Sequence, residues 1–182
     1  PGMSWASPVV WGEKVFLSSV VSDGDVETVK RGLYFGGNRP ETPTDSHRWL
    51  AYGIDVASGK ITWEKQLHHG VPATPRHLKN SYLSETPATD DEHLFVHIGH
   101  LGTWCLDHDG NEVWQRDWNP YRTRFGWGTA SSPVLHKGRL YFVNDNDERS
   151  TLVCLDKSNG KTIWEIEREE PSNWATPFVW EN

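Results

Sequence analysis

The chain has 182 residues and carries 18 Lys and Arg against 25 Asp and Glu, a formal charge of −7. That acidity excludes a dedicated nucleic-acid binder, which needs a basic footprint to displace counterions from phosphates. No run approaches the roughly 20 consecutive apolar residues of a membrane-spanning helix. The length fits one domain, two at most. Only 36% of residues are hydrophobic, but 11 Trp, 6 Phe and 5 Tyr supply large side chains for a core, so disorder is excluded. Two cysteines, Cys105 and Cys154, make neither a disulfide scaffold nor a zinc knuckle. No secretory leader is visible from Pro1 onward, and the compartment is not readable from composition.

Taken in chain order, the sequence repeats itself. Ser7-Pro8 opens a first unit with a tight turn at Trp11–Lys14, a long insertion over Ser22–Ser46, and then Gly53-Ile54-Asp55 through Gly59-Lys60 to Trp63. After a loop at Leu67–Leu83, Thr86-Pro87 opens a second unit, which runs through the Thr89–His93 turn and Cys105-Leu106-Asp107 to Gly110 and Trp114. A loop at Asp117–Thr129 leads to Ser132-Pro133 and a third unit, with Cys154-Leu155-Asp156, Gly160-Lys161 and Trp164. Thr176-Pro177 then opens a fourth. Asp-to-Trp offsets are 8, 7 and 8 (55 to 63, 107 to 114, 156 to 164).

Each unit reads as four short strands. In the third they are predicted at about Ala130–His136, Arg139–Asn144, Thr151–Asp156 and Thr162–Glu167. Leu140 and Phe142 alternate with Tyr141 and Val143, the period-2 pattern of a strand buried on both faces. Gly-containing turns separate the strands, and no stretch has a helical period. Four strands per repeat of 44 to 51 residues predict an all-β fold of β-propeller blades. The blades are expected at about 5–66 (with the insertion at 22–46), 84–116 and 130–167, with the first strand of a fourth at Trp174–Trp180. Three blades and one strand do not close a ring. The expectation is therefore a fragment of a longer propeller or a chain that associates with its own copies.

The Asp, the Gly-Lys turn and the Trp, with a small residue two before the Asp, resemble the tryptophan-docking repeat of pyrroloquinoline-quinone-type propellers. The outer-membrane assembly propellers of the BamB kind share that repeat. The resemblance implies that Trp63, Trp114 and Trp164 pack between neighbouring blades. Gly53, Cys105 and Cys154 stand where the family usually has Ala, so the two thiols are read as small packing groups. Equivalent positions on adjacent blades are too far apart for a disulfide. The resemblance also implies a periplasmic or cell-envelope location.

The four strands of a unit, A to D in chain order, alternate in direction, which puts the A–B and C–D turns on one face and the B–C and D–A connections on the other. The first class is tight throughout; the long connections all fall in the second, where binding is expected. The two D–A loops carry Arg76, Lys79, Arg122 and Arg124 against Asp117 alone, so 4 − 1 = +3 within a chain of −7. Arg76, His77, Lys79, Tyr121, Arg122, Arg124 and Trp127 are the candidate partner- or anion-binding residues, since Arg beside aromatics suits anions and protein partners alike. Their alternative role is to pin long loops to the blade edges.

Other constellations point elsewhere. His93 and His97, four apart on a strand, stand about 13 Å apart at ~3.3 Å per residue and cannot share an ion. Asp145-Asn146-Asp147-Glu148 lacks the later Gly and Glu of a calcium loop and reads as a polar turn. Asp55, Asp107 and Asp156 recur at equivalent turns and read as Asx-turn acceptors. No catalytic residue, cofactor-binding residue or metal ligand is assigned, and the chain is read as leaning away from enzyme activity. The favoured function is a noncatalytic scaffold for partner proteins or polymers on the long-loop face. The alternative is a fragment of a quinone-dependent dehydrogenase, with the quinone implied by resemblance alone; this chain lacks the adjacent Cys-Cys pair of that class. Sugar or sulfate-ester recognition by the basic loops is a third reading.

Overall fold

The computed structural model describes residues 2–25 and 41–181, so most of the Ser22–Ser46 insertion lies outside the described residues. Among the described residues twelve strands form three sheets. The first holds β1 (Val9–Trp11), β2 (Lys14–Ser22), β3 (His47–Asp55) and β4 (Ile61–Gly70); the second β5 (Ala88–Thr89), β6 (His93–Ile98), β7 (Gly102–Asp107) and β8 (Glu112–Asp117). The third holds β9 (Val134–His136), β10 (Arg139–Asn144), β11 (Thr151–Asp156) and β12 (Thr162–Glu167). Each sheet is an antiparallel meander in sequence order, the form of a propeller blade. In the third blade β10, β11 and β12 have their predicted bounds, while the inner strand is shorter than Ala130–His136 because its first residues belong to the preceding loop.

One cross-strand row explains the repeat. Phe16 pairs with Gly53, and Gly53 with Trp63; Phe95 with Cys105, and Cys105 with Trp114; Tyr141 with Cys154, and Cys154 with Trp164. The C-strand residue is small because the indole lies over it: a Cβ on Gly53 would sit 2.2 Å from the Trp63 ring. A register shift follows each small residue, between Gly53 and Ile54, Cys105 and Leu106, and Cys154 and Leu155. Such bulges bend the outer strand locally. Cys105 and Cys154 are unpaired thiols in buried positions, as expected for packing groups.

The indoles also join blade to blade. Trp63 Nε1 donates to the His108 carbonyl at 2.9 Å, and Trp114 Nε1 to the Lys157 carbonyl at 2.8 Å. Each ring covers a turn glycine of the next blade. A Cβ on Gly110 would lie 2.7 Å from the Trp63 ring, and one on Gly160 2.7 Å from the Trp114 ring. Two apolar clusters fill the blade junctions. Phe16, Trp49, Leu94 and Val96 anchor the first, Phe95, Cys105, Leu140 and Phe142 the second. Full burial of a side chain of this size contributes about 1.5–3 kcal/mol. Trp164 meets Tyr141 of its own blade at 5.8 Å, as Trp63 meets Phe16 at 6.0 Å and Trp114 meets Phe95 at 6.1 Å.

The small-residue-Pro motif is a second inter-blade device. Ser7 N donates to Thr86 Oγ1 (3.0 Å), Thr86 N to Ser132 Oγ (2.9 Å) and Ser132 N to Thr176 Oγ1 (3.1 Å). The hydroxyl thus links the entry to one inner strand with the entry to the next. Thr176 therefore sits in the place of a fourth inner strand. The segment Trp174–Trp180, expected as the first strand of a fourth blade, forms no β-ladder with the described residues.

Candidate partner-binding face

The tight-turn face is closed by its aspartates. Asp55 accepts from Ser58 N (2.8 Å), Asp107 from Asp109 N (2.9 Å) and Asn111 N (2.8 Å), and Asp156 from Ser158 N (2.8 Å). The hydroxyls of Ser58 and Ser158, which also donate to Asp55 and Asp156, and then these backbone bonds hold the two carboxyls below the usual range. The carboxylates are committed to their own turns.

The opposite face carries the long connections, 71–87 and 118–133, and these are stitched to each other by backbone acceptors. His77 N (3.1 Å) and Asn80 Nδ2 (3.0 Å) both donate to the Trp127 carbonyl. Trp174 Nε1 donates to the Gly128 carbonyl (2.7 Å), and Arg124 N to Ser172 Oγ (2.8 Å). Rings follow the same path, with His77 edge-on to Trp127 at 5.1 Å and Trp127 against Trp174 at 5.5 Å.

Within this frame the candidate residues divide. Arg76 is buried; it donates to the carbonyls of His77 (3.2 Å) and Asn80 (2.8 Å) and lies over the Tyr82 ring at 5.4 Å. Tyr121 points inward to Asn144 Oδ1 (3.3 Å), and burial raises its phenol pKa. His77 accepts from Lys79 N (3.1 Å), and its pKa is lowered by burial, then by Lys79 and Arg76. Trp127 is half-buried at the loop junction. Lys79, Arg122 and Arg124 are exposed; Arg122 meets Glu148 at 3.1 Å, and Arg124 lies over the Phe125 ring at 5.1 Å. A cleft of about 330 Å³ opens between the two loops, lined by Thr74, Pro75, Tyr121, Arg122, Phe125 and Asp147, among others.

Phe125 belongs to the aromatics of the basic loops but is not among the candidate binding residues expected from the sequence. It is 41% exposed with φ 57°, a left-handed backbone unusual for a bulky residue, held between Arg124 and Gly126. Strain of this kind persists where the surrounding structure over-determines it, and functional loops collect it. The available signal was an aromatic wedged between Arg and Gly.

Deeper in the same face lies a polar junction between the second and third blades. Glu85 is fully buried and accepts from Thr129 Oγ1 (2.5 Å), Gly99 N (3.1 Å) and Ser84 N (3.0 Å); burial raises its pKa. His97 stacks on Phe142 at 4.0 Å and shares a hydrogen with Thr103 Oγ1 at 2.8 Å; burial lowers its pKa to about 3. It is a neutral core histidine. Burial raises the Cys105 thiol to about 12, far from the reactive range. Among the described residues no group of three or more His, Cys, Asp or Glu is placed to hold a metal ion. The space around Glu85, Tyr121 and Asn144 is about 10 Å³, room for one water at most, so the described residues do not fit a quinone there.

Residues 44–175 match the family model described as outer membrane protein assembly factor BamB. No curated protein matches the chain. Among solved structures, a europium-containing methanol dehydrogenase aligns with a TM-score of 0.61 at 13% identity, over 93% of this chain and 26% of the other. The quinohemoprotein alcohol dehydrogenase of Comamonas testosteroni aligns with a TM-score of 0.56 at 16% identity, over 91% of this chain and 21% of its own. BamB from Moraxella catarrhalis aligns with a TM-score of 0.44 at 16% identity, over 66% of this chain and 33% of its own. At these identities the likeness to the two dehydrogenases establishes the fold alone. The chain spans about a quarter of the length of the dehydrogenases it matches.

Proposed function

The chain belongs to the family of the outer membrane protein assembly factor BamB, and from that premise we propose that it is a noncatalytic propeller scaffold of the cell envelope. It holds partner proteins, or extended polymers, on its long-loop face. The observation that carries this reading is the division between the two faces. One is closed by aspartate-capped turns, and the other presents a cleft between two stitched loops with Arg122, Arg124 and Phe125 at its surface. An exposed aromatic beside guanidinium groups suits a partner segment that carries both apolar and acidic side chains.

Charge reversal of Arg122 and Arg124 to Glu tests it. Exposed charges contribute only about 0–1 kcal/mol to stability, so the variant is expected to melt within a few degrees of the parent. It is also expected to lose whatever envelope protein co-purifies with the parent. Full retention of that protein overturns the reading. Adding quinone and calcium separates the scaffold from the dehydrogenase alternative. A stoichiometric bound quinone chromophore would favour the enzyme.

A further inference from the structure

The position before each Ser/Thr-Pro motif is Ala6, Ser131 or Ala175 in three units and Glu85 in the second. The residue facing it from the next unit, three before that unit's motif, makes the successive pairs Ala6 with Leu83, Glu85 with Thr129 and Ser131 with Asn173. The repeat therefore does not require a carboxylate at this place. Burying one is costly unless its oxygens are satisfied. Here Oε1 accepts from Gly99 N (3.1 Å) and Oε2 from Ser84 N (3.0 Å).

The further partner of Oε1 is Thr129 Oγ1 at 2.5 Å, and the same hydroxyl lies 3.2 Å from His100 Nδ1. His100 sits in the turn between β6 and β7, 3% exposed, with its ring edge-on to Trp49 (6.1 Å) and Tyr82 (5.9 Å). Among the described residues its Nε2 is buried without a hydrogen-bond partner. A hydroxyl has a single hydrogen, so Glu85, Thr129 and His100 can be bonded in either of two directions. When Glu85 is ionised, Thr129 donates to it and accepts from His100 Nδ1–H, which leaves Nε2 bare. When Glu85 is protonated, its O–H donates to Thr129, Thr129 donates to Nδ1, and the imidazole carries its hydrogen on Nε2. From the first state to the second the carboxylate gains one proton from solvent. The imidazole loses one at Nδ1, gains one at Nε2 and stays neutral.

We propose that Glu85, Thr129 and His100 form a proton relay in which the charge of Glu85 sets the tautomer of His100 and the grip on loop 118–133. A hydrogen bond to an ionised acceptor is roughly twice as strong as one to a neutral group, so the loop is held more firmly when Glu85 is ionised. Tyr121 and Thr123 line both the space around Glu85 and the surface cleft, which puts the relay beneath the loop face whatever that face binds. Tyr121 faces Glu85, with Asp145 beyond it in an ion pair with Arg168. His68 of β4 and His97 of β6 face His100, and His47 and Arg76 lie against Tyr82. Burial lowers the pKa of His68 and His100 and raises that of Glu85, so Glu85 changes charge while His100 is neutral.

Nitrogen NMR of the full chain labelled with 15N-histidine tests the relay, since the two ring nitrogens resonate apart according to which bears the hydrogen. The His100 signals are identified by their loss in His100→Gln. They are expected to change tautomer between about pH 5 and about pH 9, the span from ordinary to deeply buried carboxylates. Thr129→Ser keeps the hydroxyl and should titrate as the parent does, whereas Thr129→Val should lose the change. Glu85→Gln keeps the shape without the charge and should fix the tautomer. Exchange of the Gly128 amide, which is bonded to Thr123 Oγ1 in the same loop, should slow in the parent as Glu85 ionises, after correction for base catalysis. A His100 tautomer that is constant over this span in the parent overturns the proposal. So does a tautomer change that survives in Glu85→Gln or Thr129→Val, or Gly128 exchange that does not follow Glu85.

Discussion

The indole N–H of Trp114 reaches across a blade boundary to the carbonyl oxygen of Lys157 at 2.8 Å, while its ring lies on Gly160 of the same turn. One side chain thereby satisfies a turn carbonyl, covers a glycine and closes the apolar cluster around Phe95 and Leu140. The same arrangement at Trp63 and Gly110 makes blade stacking a property of the repeat.

Replacing Trp114 by Ala is expected to cost about 3–5 kcal/mol, the range for a large-to-small change in a packed site. Trp127→Ala, at the loop junction, costs less, because its partners bond to the Trp127 backbone carbonyl, which the variant keeps. Chemical denaturation of the two variants checks this. Equal losses would remove the docking assignment.

Glycine content of the turns gives a sharper comparison. Gly59 and Gly160 have the same backbone, φ 67° and 68°, but open space over the first and an indole over the second. Ala at Gly59 pays the left-handed backbone cost of about 1–2 kcal/mol. Ala at Gly160 pays that and also displaces Trp114. Melting at submicromolar concentration is expected to show the larger loss for Gly160→Ala.

Buried histidines set the acid limb of stability. His97 and His100 have folded pKa values lowered by burial to about 3 and about 4. The unfolded chain therefore binds the protons first. Their contribution is fully present above about pH 6.5 and is lost as pH falls towards those folded values. His97→Phe, which keeps a ring against Phe142, is expected to flatten the slope between pH 6 and 4 by up to about 1.4 kcal/mol per pH unit. Glu85 acts with the opposite sign. Its raised pKa favours the fold below the unfolded carboxyl value, and that contribution is lost as pH rises through the folded one. An unchanged slope in the His97 variant would place the titration elsewhere.

Much of the fold was readable from local pattern. Three strands of the third blade, the Asx-turns at Asp55, Asp107 and Asp156, and the packing of Trp63 and Trp114 all follow from spacing, turn chemistry and repeat resemblance. The loop face was less readable, for a physical reason. Whether a guanidinium faces solvent depends on tertiary neighbours, and Arg76 and Arg122 look alike in sequence. Yet the first is buried over Tyr82, and the second projects beside the cleft. Glu85 escaped notice because its partners, Gly99 and Thr129, are distant in the chain. The segment Trp174–Trp180 has the residue pattern of β1 but forms no ladder with the described residues.

The central claim, that partners engage the long-loop face, is tested most directly by site-specific photo-crosslinking in cells. A photoreactive phenylalanine analogue replaces Phe125 on that face or Asn159 in an exposed tight turn on the other. Crosslinked adducts to a partner are expected from position 125 and not from position 159. Adducts from position 159 alone would contradict the account.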